Sequence, residues 1–143
     1  MKWLLVMALL LSACAHYSIP DRPGSLAVST IKTPPQWQIP EGELTQSLVK
    51  HLERRGFEAS WGAAIEGQTA MDCVCNLDVS MNQMTDARAE MICDYAGARL
   101  TTHGSGSGHS IPARAAYIAC EKAGKEMADE MAKLDTKTSA EAK

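Results

Sequence analysis

The chain has 143 residues, with 14 basic and 17 acidic side chains and a net charge of −3. That length fits one domain, and the acidic balance excludes the basic footprint of a nucleic-acid binder and charge-driven adhesion to an anionic membrane surface. Aromatic residues make up 5% of the chain, so the core rests on small and flexible side chains and calls for covalent bracing.

Lys2 is the only charge before an apolar run, Trp3 to Leu11, which ends in Ser12-Ala13-Cys14. A charged start, an apolar middle and small residues at a cut site have the layout of a secretory signal. The run is too short to span a bilayer, which takes about 20 residues. Leu11-Ser12-Ala13-Cys14 resembles the bacterial lipobox. The resemblance implies a signal peptide over residues 1–13, cleavage before Cys14, and acylation of that cysteine, palmitate included. Ala15, in place of Asp, implies sorting to the outer membrane. Several acyl chains anchor a protein stably where one does not.

Residues 14–24, with Pro20, Pro23 and Gly24, read as a lipidated tether. Ser25 to Ile31 is the first strand, ended by Thr33-Pro34-Pro35. A helix follows over residues 41–55. Leu44, Leu48 and Leu52 make one stripe with Val49 beside it, and Gly56 stands at the carboxyl end. Phe57, Ala59 and Trp61 alternate as a short strand, so the first three elements form a crossover between parallel strands. Residues 62–71 read as a loop.

From Asp72 to Gln83 the alternation is clean, with Cys73, Cys75, Leu77, Val79 and Met81 on one face. A turn is expected at residues 85–88. One return strand is expected from Glu90 to Thr102, carrying Met91, Cys93 and Tyr95 on one face. His103-Gly-Ser-Gly-Ser-Gly-His109 then reads as a flexible or glycine-rich strand end before the last helix, capped by Ser110 and opened by Pro112. Ala116, Cys120, Ala123, Met127, Met131 and Leu134 form its apolar stripe, and residues 135–143 read as a disordered tail.

The expected fold is therefore α+β. A three- to four-stranded mixed sheet in β-α-β-β-β-α order carries two helices on one face, in a periplasmic domain spanning residues 25–134. This order, with its glycine-rich strand joining an alanine-rich helix, is similar to small periplasmic α+β envelope lipoprotein domains. Among these are the lipopolysaccharide-transport lipoprotein and the amino-terminal domain of the Tol-system propeller protein. The resemblance implies action through protein partners and no catalysis.

Cys73, Cys75, Cys93 and Cys120 are an even set, which in an oxidising compartment reads as disulfides. A hairpin turning at residues 86–88 sets Cys93 opposite Met81, about 20 Å along the strand from Cys75. That is beyond disulfide reach. In that register Cys120 pairs with Cys75 or Cys73, and the remaining pair stays open.

The competing reading is a copper or other metal site. It would use Cys73, Cys75, Cys93 and Cys120, the two histidines His103 and His109, and thioethers such as Met71, Met81, Met84, Met91, Met127 and Met131. The Gly-Ser run lacks the Gly-Lys-Ser/Thr ending of a phosphate-binding loop. No Gly-X-Ser-X-Gly nucleophile elbow occurs, and Cys-X-Cys differs from the Cys-X-X-Cys redox motif. Asp72, Asp78 and Asp94 read as water-facing strand carboxylates. The sequence thus points to a non-catalytic accessory lipoprotein. It needs no cofactor, faces the periplasm from the outer membrane, and holds an envelope protein or glycolipid.

Overall fold

The computed structural model describes residues 25–141. The signal peptide, the acylated Cys14 and the tether expected over residues 1–24 lie outside the described residues. Five strands and two long helices follow in order. They are β1 (Leu26–Val28), α1 (Glu41–Arg54), β2 (Ala59–Trp61), β3 (Thr69–Met81), β4 (Thr85–Tyr95), β5 (Ala98–His109) and α2 (Pro112–Glu141). A single 3-10 turn, Pro35–Trp37, precedes α1. The sheet order is β2-β1-β3-β4-β5. β1 runs parallel to both of its neighbours, and the β3-β4-β5 meander is antiparallel.

The α1 stripe forms as its spacing predicts. Leu44, Leu48, Val49 and Leu52 are buried, with Thr45 among them. The helix ends by hydrogen-bonding its last carbonyls to the turn that follows. Gly56 N–H donates to the Glu53 carbonyl at 2.9 Å, and Phe57 N–H donates to Leu52 at 3.0 Å. This Schellman arrangement needs a left-handed residue, and Gly56 sits at φ 90°. Thr45 ties α1 to the sheet. Its Oγ1 accepts the Ile31 N–H at 2.9 Å and donates to the Glu41 carbonyl at 2.7 Å.

Two features of the meander differ from expectation. The first turn lies at residues 82–84, and residues 85–88 belong to β4. Thr85 and Ala87 are 5% and 1% exposed, so these small side chains continue the buried face, while Asp86 and Arg88 continue the wet one. The expected single return strand is in fact two strands folded at Ala96-Gly97. Both turn residues have positive φ, 49° and 77°, the geometry that matches the twist of a tight hairpin. The sheet therefore has five strands.

Both helices pack on the same face. α2 lies over β4 and β5, and α1 packs beside it, with a salt bridge between Arg55 and Asp129. Between them lies a core built from Leu26, Val28, Ile31, Leu44, Leu48, Leu52, Met71, Met91, Met127 and Met131, each at most 1% exposed. The helical conformation of α2 continues past Leu134 to Glu141; no proline or glycine follows Gly124 to stop it.

Candidate functional site

The four cysteines of the domain meet in one layer between sheet and helix. Cys73 and Cys93 are direct partners in the β3-β4 register and form a disulfide with Cα atoms 4.1 Å apart. Cys75, two residues on and on the same face, is bonded to Cys120 of α2, with Cα atoms 6.2 Å apart. The expectation that Cys93 cannot reach Cys73 is corrected by the turn at residues 82–84, which moves the partner of Cys93 from Met81 to Cys73. All four are buried, at 0–4% exposure. Their sulfurs are consumed in pairs, so none is a thiolate available to a metal in this state.

His103 and His109 are both in β5, in keeping with the glycine-rich strand end expected there, and the Gly-Ser alternation between them has a two-sided cause. Gly104 and Gly106 lie beneath α2. A methyl group on Gly104 would come within 2.5 Å of the Ala123 nitrogen, and one on Gly106 within 2.5 Å of the Ala115 carbonyl oxygen. Only hydrogen fits at these positions, so the helix backbone rests on the strand backbone. His103, Ser105 and Ser107 alternate with them and are exposed on the other face. The glycines therefore serve helix–strand contact and do not cradle a phosphate. The backbone of His109 pairs with Thr85 at the far end of the ladder.

The helix-free face of the meander is a polar platform of cross-strand rows. Asp72, Asp94 and Arg99 form one row, Val74, Ile92 and Thr101 the next, then Asn76, Glu90 and His103, then Asp78, Arg88 and Ser105. The Arg99 guanidinium meets Asp94 through two hydrogen bonds of 2.8 and 3.1 Å, which hold the carboxyl below the usual carboxylate range. His103 Nε2 lies 3.5 Å from a Glu90 carboxylate oxygen. A shallow depression of about 260 Å³ opens over Asn76, Asp78, Arg88, Glu90 and His103. Among the described residues no group of three or more His, Cys, Asp or Glu is placed to hold a metal ion, and no helix is long and apolar enough to cross a membrane.

The three long strands outrun the rest of the sheet. β1 pairs with β3 only at residues 69–71, followed by a bridge from Lys32 to Val74. Beyond Cys75, whose N–H donates to the Lys32 carbonyl at 2.9 Å, β3 continues to Met81 with, among the described residues, β4 as its neighbour on one side only. Met81, Met84 and Ile111 are 57–61% exposed around the turn and the β5-α2 junction. The sequence showed these residues as apolar; it did not show that β1 ends too early to cover the neighbouring half of β3.

No protein-family model matches the chain, and no curated protein matches it in sequence. Solved structures do align. The chain is similar to an uncharacterised protein at TM-score 0.53 and 11% identity, over 80% of this chain and 96% of that one. It also aligns with a minor lipoprotein from Acinetobacter baumannii at TM-score 0.48 and 10% identity, over 80% and 94% of the two chains. A PelC dodecamer from Paraburkholderia phytofirmans aligns at TM-score 0.49 and 11% identity, over 76% and 89%. At 11% identity, what the chain shares with the uncharacterised protein is the fold alone.

Proposed function

We propose that this chain is a non-catalytic lipoprotein anchored by Cys14 to the outer membrane, whose disulfide-braced domain faces the periplasm and holds an envelope protein or glycolipid. One combination carries the reading: a lipobox at Leu11–Cys14, followed by a domain whose other four cysteines are all paired. Disulfides persist in oxidising compartments and are rare in the cytosol, so the brace and the export signal support the same address. The polar platform and the uncovered half of β3 supply surface for a partner.

The test is mass spectrometry of the mature protein from detergent-extracted membranes, together with thiol titration under air. The expected result is an acylated Cys14 at the amino terminus, loss of acylation in Cys14→Ser, and no free thiol without reductant. An unacylated chain in the soluble fraction would overturn the reading. Several reactive thiols with copper(I) uptake would replace it with metal handling.

A further inference from the structure

We propose that the uncovered half of β3, Asn76–Met81, is an acceptor slot for one extended strand of a partner protein, a strand alternating apolar with basic residues. This rests on the binding reading above and names the chemistry of the partner.

The backbone supplies the first argument. Among the described residues, nothing pairs with the β1 side of β3 after Cys75. Six residues of strand span about 20 Å, and every second residue turns its N–H and C=O toward the vacant side. Proteins blunt exposed edges with short strands, lysine, proline or bulges. β2, the edge beyond β1, is blunted in this way, being three residues long. Asn76-Leu-Asp-Val-Ser-Met81 has no proline and no lysine, and its one charge is Asp78.

Side chains give the second argument independently. Leu77 and Val79 share the face of Met71, Cys73 and Cys75, yet they are half-buried, and Met81 is 60% exposed. The helix layer that seals the first half of this face leaves the second half partly open. A strand laid beside it would bury these three residues against its own apolar side chains, and main-chain hydrogen bonds plus alternate side-chain contacts are how added strands are recognised.

Charge decides the rest of the strand. On the opposite face the slot presents Asn76, Asp78 and Ser80, with Asp86 across from Ser80 and Arg88 across from Asp78. Carboxylates outnumber the one cation there, and the whole chain is acidic. Lysine or arginine at the outward positions of the incoming strand meets that field, whereas acidic residues would be repelled.

The probe is an acetylated and amidated Lys-Val-Lys-Val-Lys-Val-Lys peptide, titrated into the full chain in detergent and followed by backbone amide NMR. The expected result is saturable binding with shifts centred on Asn76–Met81. Affinity should fall about tenfold or more when alternate peptide nitrogens are methylated, or in Asp78→Lys. Val79→Ser, which keeps the charge, is the second variant should Asp78→Lys fail to fold.

The proposal is overturned if nothing saturates, if the shifts map to β5 or to the Asp72, Asp94 and Arg99 end of the sheet, or if methylation leaves affinity unchanged. It is equally overturned if the 76–81 amides are already protected from exchange without peptide, because the chain's own residues then fill the slot. Acylation of Cys14 is read separately, so failure of the slot and failure of the anchored reading give different results.

Discussion

The backbone of Gly104 in β5 lies against the Ala119 carbonyl of α2, too close for a methyl group between them. Gly104→Ala must therefore push the helix outward or bend the strand. Overpacking of this kind costs about 1–3 kcal/mol, and for a domain of this size each kcal/mol lowers the melting temperature by about 2–8 °C. Ser105→Ala, one residue away on the wet face, should leave the melt unchanged. Thermal unfolding followed by circular dichroism checks both, and equal melts for the two variants would contradict the close contact.

The two disulfides differ in the loops they close. Cys75–Cys120 spans 45 positions and Cys73–Cys93 spans 20. Cross-links stabilise largely by restricting the unfolded chain, by about 2–4 kcal/mol and more for the longer loop. Cys75→Ala with Cys120→Ala should thus lower stability more than Cys73→Ala with Cys93→Ala, whose partners remain held by the surrounding ladder. Urea titration of the two double variants ranks them.

Thr45 is fully buried and satisfies the buried N–H of Ile31. Thr45→Val keeps the shape and strands that donor, at a cost of about 1–3 kcal/mol. Thr45→Ser keeps the hydroxyl and should recover the larger part of it. If valine and serine variants unfold at the same denaturant concentration, the hydrogen bond contributes little.

Burial, with Arg54 nearby, pushes the pKa of His51 below its ordinary 6.5. Lys125 acts in the same sense, while Glu121 and Asp129 of α2 oppose it. The folded state therefore favours the neutral ring. Above pH 6.5 both states are neutral and nothing changes. As the pH falls below 6.5 the unfolded chain takes up a proton first, so stability is lost until the folded pKa is passed. His51→Gln should flatten this part of the acid decline, and denaturant midpoints measured between pH 7.5 and about 5 test it.

Local patterns in the chain were readable where one residue type serves one purpose. The leucine stripe with Gly56 located α1, and strict alternation located β3 from Asp72 on, while its first residues, Thr69 to Met71, which pair with β1, had read as loop. The readings that failed depended on partners distant in sequence. Asp86 and Arg88 look like turn residues alone, yet Thr85 and Ala87, alternating with them, are buried on the inner face of the sheet. Ala96-Gly97 lacks the Asn-Gly or Asp-Gly signature of a tight hairpin, so two strands read as one. Glycine is poor in strands, and its use at positions 104 and 106 makes sense only once α2 is laid on β5. The misplaced turn also hid the Cys73–Cys93 pair, whereas Cys120 was matched to Cys75 or Cys73, of which Cys75 is the partner. The uncovered half of β3 follows from where β1 stops, which depends on the route of the chain through Pro34 and Pro35 into α1.

Both cystines share β3, and through it they join β4 and α2 into one covalently closed unit. The β1-α1-β2 segment belongs to no such ring and adheres by packing, hydrogen bonds and the Arg55–Asp129 salt bridge. The molecule is thus graded in its resistance to disruption: under denaturant or protease residues 26–61 are free to detach, while the cross-linked β3-β4-β5-α2 unit stays a compact remnant that can template their return.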